Sequence, residues 1–248
     1  VRIIKKADLQ RTGKSILLYG KAGVGKTVSI LAGAPDPIAY IQIEPRSLVP
    51  SLEAANRPDL DIEIMVTDNF SDLKNFLRNT ENFSRFNSVV IDSYSHLMNI
   101  SLSSEIEDQT FDTFSDEEKR RKPLINEAKM SLEGYGGLAS QMFRMTDMLC
   151  KLSTIGKVII ATARLVENPT WNRTLAAAPA LKGKEFPANM PGFFDLIGLV
   201  TSRVDEEGKI VYPPYVQFES PDDSFVAKYT GPGNKKSGPL NLAKILSV

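Results

Sequence analysis

Short apolar runs recur along this chain, each bounded by turn residues and separated by stretches with helical spacing. Ser15-Ile16-Leu17-Leu18-Tyr19, Ile38-Ala39-Tyr40-Ile41-Gln42-Ile43, Ser88-Val89-Val90-Ile91-Asp92, Lys157-Val158-Ile159-Ile160-Ala161-Thr162 and Leu196-Ile197-Gly198-Leu199-Val200 are the clearest. They predict strands covered on both faces, as in parallel sheets. Ile62 to Val66 begins by alternating and predicts a further strand. Leu73, Phe76 and Leu77 fall at helical spacing within Ser71 to Asn79, and Ser51 to Asn56 suggests a short helix. Met142, Met145, Leu149 and Leu152 form a helical stripe within Leu138 to Leu152, of a kind that usually faces a core.

The remaining stretches read differently. Val1 to Lys14 suggests a lead-in strand or arm. Residues 103–123 break the composition, acidic at Asp116-Glu117-Glu118 and basic at Lys119-Arg120-Arg121-Lys122, and predict an exposed insertion. Residues 168–191 are punctuated by prolines and predict a mobile loop. Asp205 to Gly208 predicts a hairpin turn into Ile210-Val211-Tyr212. Tyr215 to Glu219 and Phe225 to Tyr229 predict antiparallel strands, and Leu240 to Leu246 a short helix or tail. The expected fold is α/β over residues 1–248: one domain with a mainly parallel sheet flanked by helices and an antiparallel C-terminal extension.

The first apolar run leads directly into Gly20-Lys21-Ala22-Gly23-Val24-Gly25-Lys26-Thr27, and Val28 to Ala32 continues as a helix. Strand, G-x-x-x-x-G-K-T and helix make a phosphate-binding loop. Its glycines let successive N–H groups turn toward phosphate oxygens, and the helix N-terminus adds partial positive charge. Residues 20–28 are therefore the expected nucleotide cradle. Lys26 would reach the β- and γ-phosphates, and the Thr27 hydroxyl would hold Mg²⁺.

Composition narrows the alternatives. The chain has 248 residues, 42% hydrophobic and 24% charged, the make-up of a soluble globular protein. Its formal net charge is zero, so nucleic-acid binding needs a local basic patch. Cys150 alone excludes a disulfide framework, and His96 alone excludes a His-rich metal site and argues against a Ser-His-Asp triad. No apolar run approaches the ~20 residues that span a bilayer. No secretory signal is seen, so the expected compartment is the cytoplasm.

Ligands of open α/β sheets gather at the carboxyl ends of strands. Asp92 ends an apolar strand and is the expected partner of Thr27 for Mg²⁺, the alternative being a helix N-cap or turn residue. Glu44 ends the first strand after the loop helix. It is the candidate for orienting the attacking water, the alternative being an exposed strand-end charge. Thr162 and Arg164 close the next strand. Thr162 is the expected γ-phosphate sensor; Arg164 shares that role or pairs with an acid or a partner. Ser93 and Ser95 assist the metal shell or simply form a turn. Arg173, Lys182 and Lys184, with Trp171 and Phe186, suit single-stranded nucleic acid, or make a solvated loop with two hydrophobic anchors. Lys119 to Lys122 are a second basic candidate, which the acidic neighbours weaken toward a solvated face.

This order of phosphate loop, acid, Asp92, sensor strand and long loop is similar to the RecA-like core of recombinases and hexameric helicases. Pro179-Ala180-Leu181-Lys182-Gly183-Lys184 and Met190-Pro191-Gly192-Phe193-Phe194-Asp195 more specifically resemble the phage-type P-loop ATPases. Those are small, AAA-annotated, RecA-core proteins of the Sak class, linked to phage recombination and single-strand annealing. The resemblance runs from Ser15 to Leu242. It implies that Glu44 activates water and that residues 168–191 contact DNA. It also implies that Lys228, in Ala227-Lys228-Tyr229-Thr230-Gly231, reaches the nucleotide of a neighbouring subunit, Thr230 standing where the family element has Arg.

Glu44, Lys26 and Lys228 are thus the expected catalytic set, with ATP and Mg²⁺ as cofactors. The implied partners are single-stranded DNA, further copies of the chain with nucleotide near their interface, and a single-strand-binding protein. No membrane is involved, and a phage-encoded chain would work in the host bacterial cytoplasm. The expected function is ATP hydrolysis in recombination or annealing. The alternative is a non-catalytic nucleotide-binding module whose ATP site locks an assembly interface. A helicase or loader motor lacks support, since no extra partner-binding domain is visible.

Overall fold

The computed structural model describes residues 13–112, 115, 117, 132–231 and 237–246. β1 (Ser15–Gly20) passes through the glycine loop into α1 (Lys26–Gly33). Then come β2 (Ile38–Gln42), α2 (Val49–Ala55), β3 (Ile62–Val66), α3 (Phe70–Arg78) and β4 (Ser88–Asp92). A helical turn, α4 (Tyr94–His96), runs through a π-helix (Leu97–Leu102) into α5 (Ser103–Asp112), and α6 spans Leu132–Lys151. The chain continues with β5 (Val158–Glu167), β6 (Ala177–Pro179), α7 (Glu185–Asn189), β7 (Leu196–Val204) and β8 (Ile210–Gln217). It closes with β9 (Lys228–Tyr229), β10 (Ser237–Pro239) and α8 (Leu242–Leu246).

The strand order among the described residues is β10-β8-β7-β1-β5-β4-β2-β3. All pairings from β7 through β3 are parallel; β8 and β10 extend the sheet antiparallel. This is the mixed α/β class that the apolar runs predict. β5 lies between β1 and β4, so the phosphate loop and Asp92 open onto the same crevice from strands with one other strand between them.

The unbroken apolar character of β1 follows from its two faces. Ile16 and Leu18 enter a core with Ile30 and Leu31 of α1 and Leu242 of α8. Leu17 and Tyr19 enter the opposite core with Leu97, Met98, Met142 and Met145, where the methionine stripe also lies. All four β1 side chains are fully buried. A polar residue at any of them would strand an unpaired group in a core.

Three expectations are corrected. Residues 103–112 are helix α5 rather than a loop-like insertion, and its first residue, Ser103, is buried. The tie is specific: the Glu105 carboxylate accepts from the Phe70 N–H at 2.5 Å and the Ser71 hydroxyl at 3.1 Å. With Asn69 capping the Asp72 N–H, it satisfies the amino end of α3. Residues 168–191 are not wholly loop. They contain β6, paired antiparallel with β5, and α7, whose Phe186 is fully buried. Finally, the two strands expected from 210–212 and 215–219 are one, β8, because Pro213 and Pro214 fall where the β7–β8 register shifts and no ladder N–H is required. Of Phe225 to Tyr229 only Lys228–Tyr229 forms strand. Residues 1–12 of the expected arm, Asp116, Glu118 and Lys119 to Lys122 lie outside the described residues. Among the described residues no helix is long and apolar enough to cross a membrane.

A candidate nucleotide site at the carboxyl ends of the strands

Gly25 caps α1 at φ 93° and Gly23 sits at φ 77°, both in the left-handed region that the loop needs. A Cβ at Gly25 would also lie 2.6 Å from the Tyr212 ring, which would have to shift to admit it. The Tyr212 hydroxyl donates to the Gly25 carbonyl at 2.7 Å and shares a hydrogen bond with the Ser29 hydroxyl at 3.1 Å. Lys26 Nζ donates to the carbonyls of Gly20 and Lys21 at 2.9 and 3.0 Å. Burial pulls its ammonium down to about 8; Asp92 opposes that fall and Arg46 adds to it. Ala22, Gly23, Gly25, Lys26, Thr27 and Val28 line a cleft with Glu44, Asp92 and Thr162. Gly20 ends β1, Val24 packs toward the α1 core, and the exposed Lys21 ammonium pairs with Glu167 at 2.7 Å.

Asp92 is the hub of the cleft, only 3% exposed. Its Oδ2 accepts from Thr27 Oγ1 at 3.0 Å, the Tyr40 hydroxyl at 2.5 Å and Arg46 Nη2 at 2.5 Å. Its Oδ1 accepts from Thr162 Oγ1 at 2.6 Å. Burial alone would raise its carboxyl, but Arg46, then Thr162, Tyr40 and Thr27, outweigh burial and hold it below its ordinary value. Thr162, the expected phosphate sensor, thus donates its hydroxyl to Asp92. Among the described residues no group of three or more His, Cys, Asp or Glu could hold a metal. The hydroxyl of Thr27 and the carboxylate of Asp92 are nevertheless a fitting donor pair for Mg²⁺, which takes hard oxygens and completes its shell with phosphate and water.

Glu44 follows β2, and its N–H reaches the Asp92 carbonyl at 3.4 Å. Its side chain is only 12% exposed, so it is not a free strand-end charge. Oε1 accepts from Ser93 Oγ at 2.6 Å and lies 3.3 Å from Arg164 Nη2, while Oε2 lies 3.8 Å from Arg46 Nε. Arg164 therefore pairs with an acid. Its backbone is tied as well: its N–H donates to Ser95 Oγ at 2.9 Å, and its carbonyl accepts from the Ala180 N–H at 2.7 Å. Asn99 grips the same downstream segment, donating to the Ala180 carbonyl and accepting from the Lys182 N–H.

The expected nucleic-acid set is only partly gathered. Trp171, Lys182 and Lys184 line one groove with Tyr135 of α6; exposed Arg173 does not line it. Lys182 Nζ is engaged by Ser103 Oγ at 2.5 Å and Glu107 at 3.7 Å. Phe186 offers no face to a base, because it stands edge-on to Phe143 at 5.1 Å inside the core. Lys228 lies at the amino ends of the parallel strands, opposite the cleft, where Nζ donates to the Pro191 carbonyl at 2.9 Å. Thr230 is held to the Asp195 carbonyl at 2.7 Å.

Sequence reasoning missed Arg46, Tyr40 and the Tyr212–Ser29 contact. Arg46 had one signal, a cation two positions beyond a strand-end acid. Tyr40 reads only as part of an apolar run, and Tyr212 as a hairpin residue.

A phosphate loop on a parallel sheet, with a buried acid across one intervening strand, defines a P-loop NTPase fold. Residues 12–230 match the AAA domain family, and the chain belongs to it. An AAA domain indicates a nucleotide-binding, ATPase-like protein. No curated protein matches the chain.

Proposed function

We propose that this protein hydrolyses Mg·ATP and couples turnover to single-stranded DNA in phage-type recombination or annealing, working as an oligomer. The carrying observation is the cleft that gathers Lys26, Thr27, Asp92 and Glu44 at neighbouring carboxyl ends of the sheet. The loop N–H groups and Lys26 hold the triphosphate tail. Thr27 and Asp92 would hold Mg²⁺, and the ion would supply the charge that offsets the phosphate oxygens. Glu44 orients the attacking water by giving up its Ser93 or Arg164 contact. Arg164 then carries the state of Glu44 to Ala180 and the Lys182–Lys184 segment through its backbone. The groove of Tyr135, Trp171, Lys182 and Lys184 supports a strand that is stacked and neutralised there. ATP turnover measured with and without single-stranded DNA tests this. Lys26→Ala and Glu44→Gln should each cut turnover at least about 100-fold. The Lys182→Ala/Lys184→Ala double variant should keep basal turnover and lose stimulation by DNA. Absence of nucleotide binding overturns the proposal, and absence of any DNA effect overturns its DNA half.

One observation favours a second reading, a nucleotide-locked assembly module without turnover. The Glu44 carboxylate is already engaged by Ser93 and Arg164. On that reading Glu44→Gln keeps nucleotide-dependent assembly and Lys26→Ala loses it.

A further inference from the structure

Arg46 stands where the proposed metal ion would. Its Nη2 is 2.9 Å from Thr27 Oγ1 and 2.5 Å from Asp92 Oδ2, and those two oxygens are 3.0 Å apart. Mg²⁺ sits about 2.1 Å from its ligands, so a guanidinium nitrogen and the ion exclude one another there. The backbone behind Arg46 is fixed, since Gln42 Nε2 donates to the carbonyls of Glu44 at 3.0 Å and Arg46 at 2.6 Å. The side chain is able to leave, being 46% exposed. Glu44 Oε2, 3.8 Å from its Nε, belongs to a carboxylate that Arg164 already engages through Oε1, so it offers little compensation.

We propose that Arg46 is a resident counter-cation which a divalent metal must displace, so that the metal enters only together with a triphosphate. The inference rests on the nucleotide-binding reading above. Charge decides the order of events. Asp92 carries one negative charge, and the guanidinium matches it. Exchanging it for a divalent ion adds a positive charge beside Lys26 and sends the guanidinium to the cleft wall. Glu44 is the other carboxylate lining the cleft, and it already faces Arg164. A triphosphate supplies the missing negative charge, and the released Arg46 pairs with its oxygens. The contacts surrendered are charge-assisted, the strong kind, so metal without phosphate has to break them uncompensated. Arg46 acts here as a positioning residue that sets loading order.

Mn²⁺ binding, read by electron paramagnetic resonance of the free ion, tests this on the full chain. Wild type, Arg46→Ala and Arg46→Gln are compared with and without a non-hydrolysable ATP analogue, and thermal melts check folding. Without nucleotide the variants should bind Mn²⁺ at least about tenfold more tightly than wild type, as removal of an internal competitor requires. With the analogue, the difference should shrink to about threefold or less. If wild type with analogue retains Mn²⁺ but neither variant gains affinity without it, the exchange role fails and the nucleotide reading stands. If no sample retains Mn²⁺ even with analogue, both fail. A purely structural Arg46 would lower the melting temperature and leave Mn²⁺ affinity unmoved; Arg46→Gln, close in length, serves if Arg46→Ala does not fold.

Discussion

Lys26 is poised unfavourably until a phosphate arrives. Its ammonium is held at about 8, mainly by burial. Between there and the ordinary lysine range the unfolded chain binds a proton that the folded chain has lost, so this group's contribution to stability rises with pH across that window. Phosphate binding runs the other way, because the neutral amine attracts no anion. Triphosphate affinity should weaken as pH climbs through about 8, and binding near pH 8.5 should take up a proton. Calorimetry in two buffers of different ionisation heat reads that proton, and Lys26→Ala should abolish it. Asp92 has the opposite sign. Its carboxyl is held below the ordinary value, so its stabilisation is complete above the usual carboxylate range and is lost as pH falls from there through its lower folded value. Denaturant titrations at falling pH should show a steeper loss for wild type than for Asp92→Asn. At neutral pH, Asp92→Ala should cost about 3 kcal/mol, because the Tyr40, Thr27 and Thr162 hydroxyls lose their buried acceptor. The glycine loop was legible because its geometry demands particular residue types. Tyr40 and Arg46 were not, since no motif singles them out: Tyr40 reads as one more member of an apolar strand and Arg46 as a cation in the loop after it.

Legibility of the elements followed their length and burial. β1, β2, β4, β5 and β7 carry apolar runs because both faces are covered, so the pattern survives without knowledge of the partners. β6, β9 and α7 are too short to hold a period. The residues flanking α7 look like loop because prolines punctuate them, yet the packing of Phe186 against Phe143 fixes the segment. Phe186→Ala should therefore destabilise the fold by about 4 kcal/mol in chemical denaturation. A ring kept for stacking on a base would change stability little. Glu105 shows a second limit. It reads as one charge in an acidic stretch, but it closes the amino end of α3. Glu105→Ala should cost about 1 kcal/mol in the same assay, a typical loss for an N-terminal cap.

Across the whole molecule the sheet separates two ends. The cleft lies at the carboxyl ends of the parallel strands, and Lys228 lies at the amino ends with its ammonium on Pro191. On the proposed reading the two meet only between copies. Lys26→Ala subunits retain Lys228, and Lys228→Ala subunits retain the loop. A mixture should then turn over ATP faster than the sum of the two preparations measured separately. If mixing adds nothing, Lys228 has no role in a neighbour's site.

Arg164 touches Glu44 with its side chain and Ala180 with its backbone carbonyl. Genetically, such a residue is pleiotropic. A selection for proteins that still burn ATP yet ignore the strand should find nothing at position 164, where one change damages both traits. Such uncoupled alleles should fall at Asn99, which grips the downstream segment and makes no contact with Glu44.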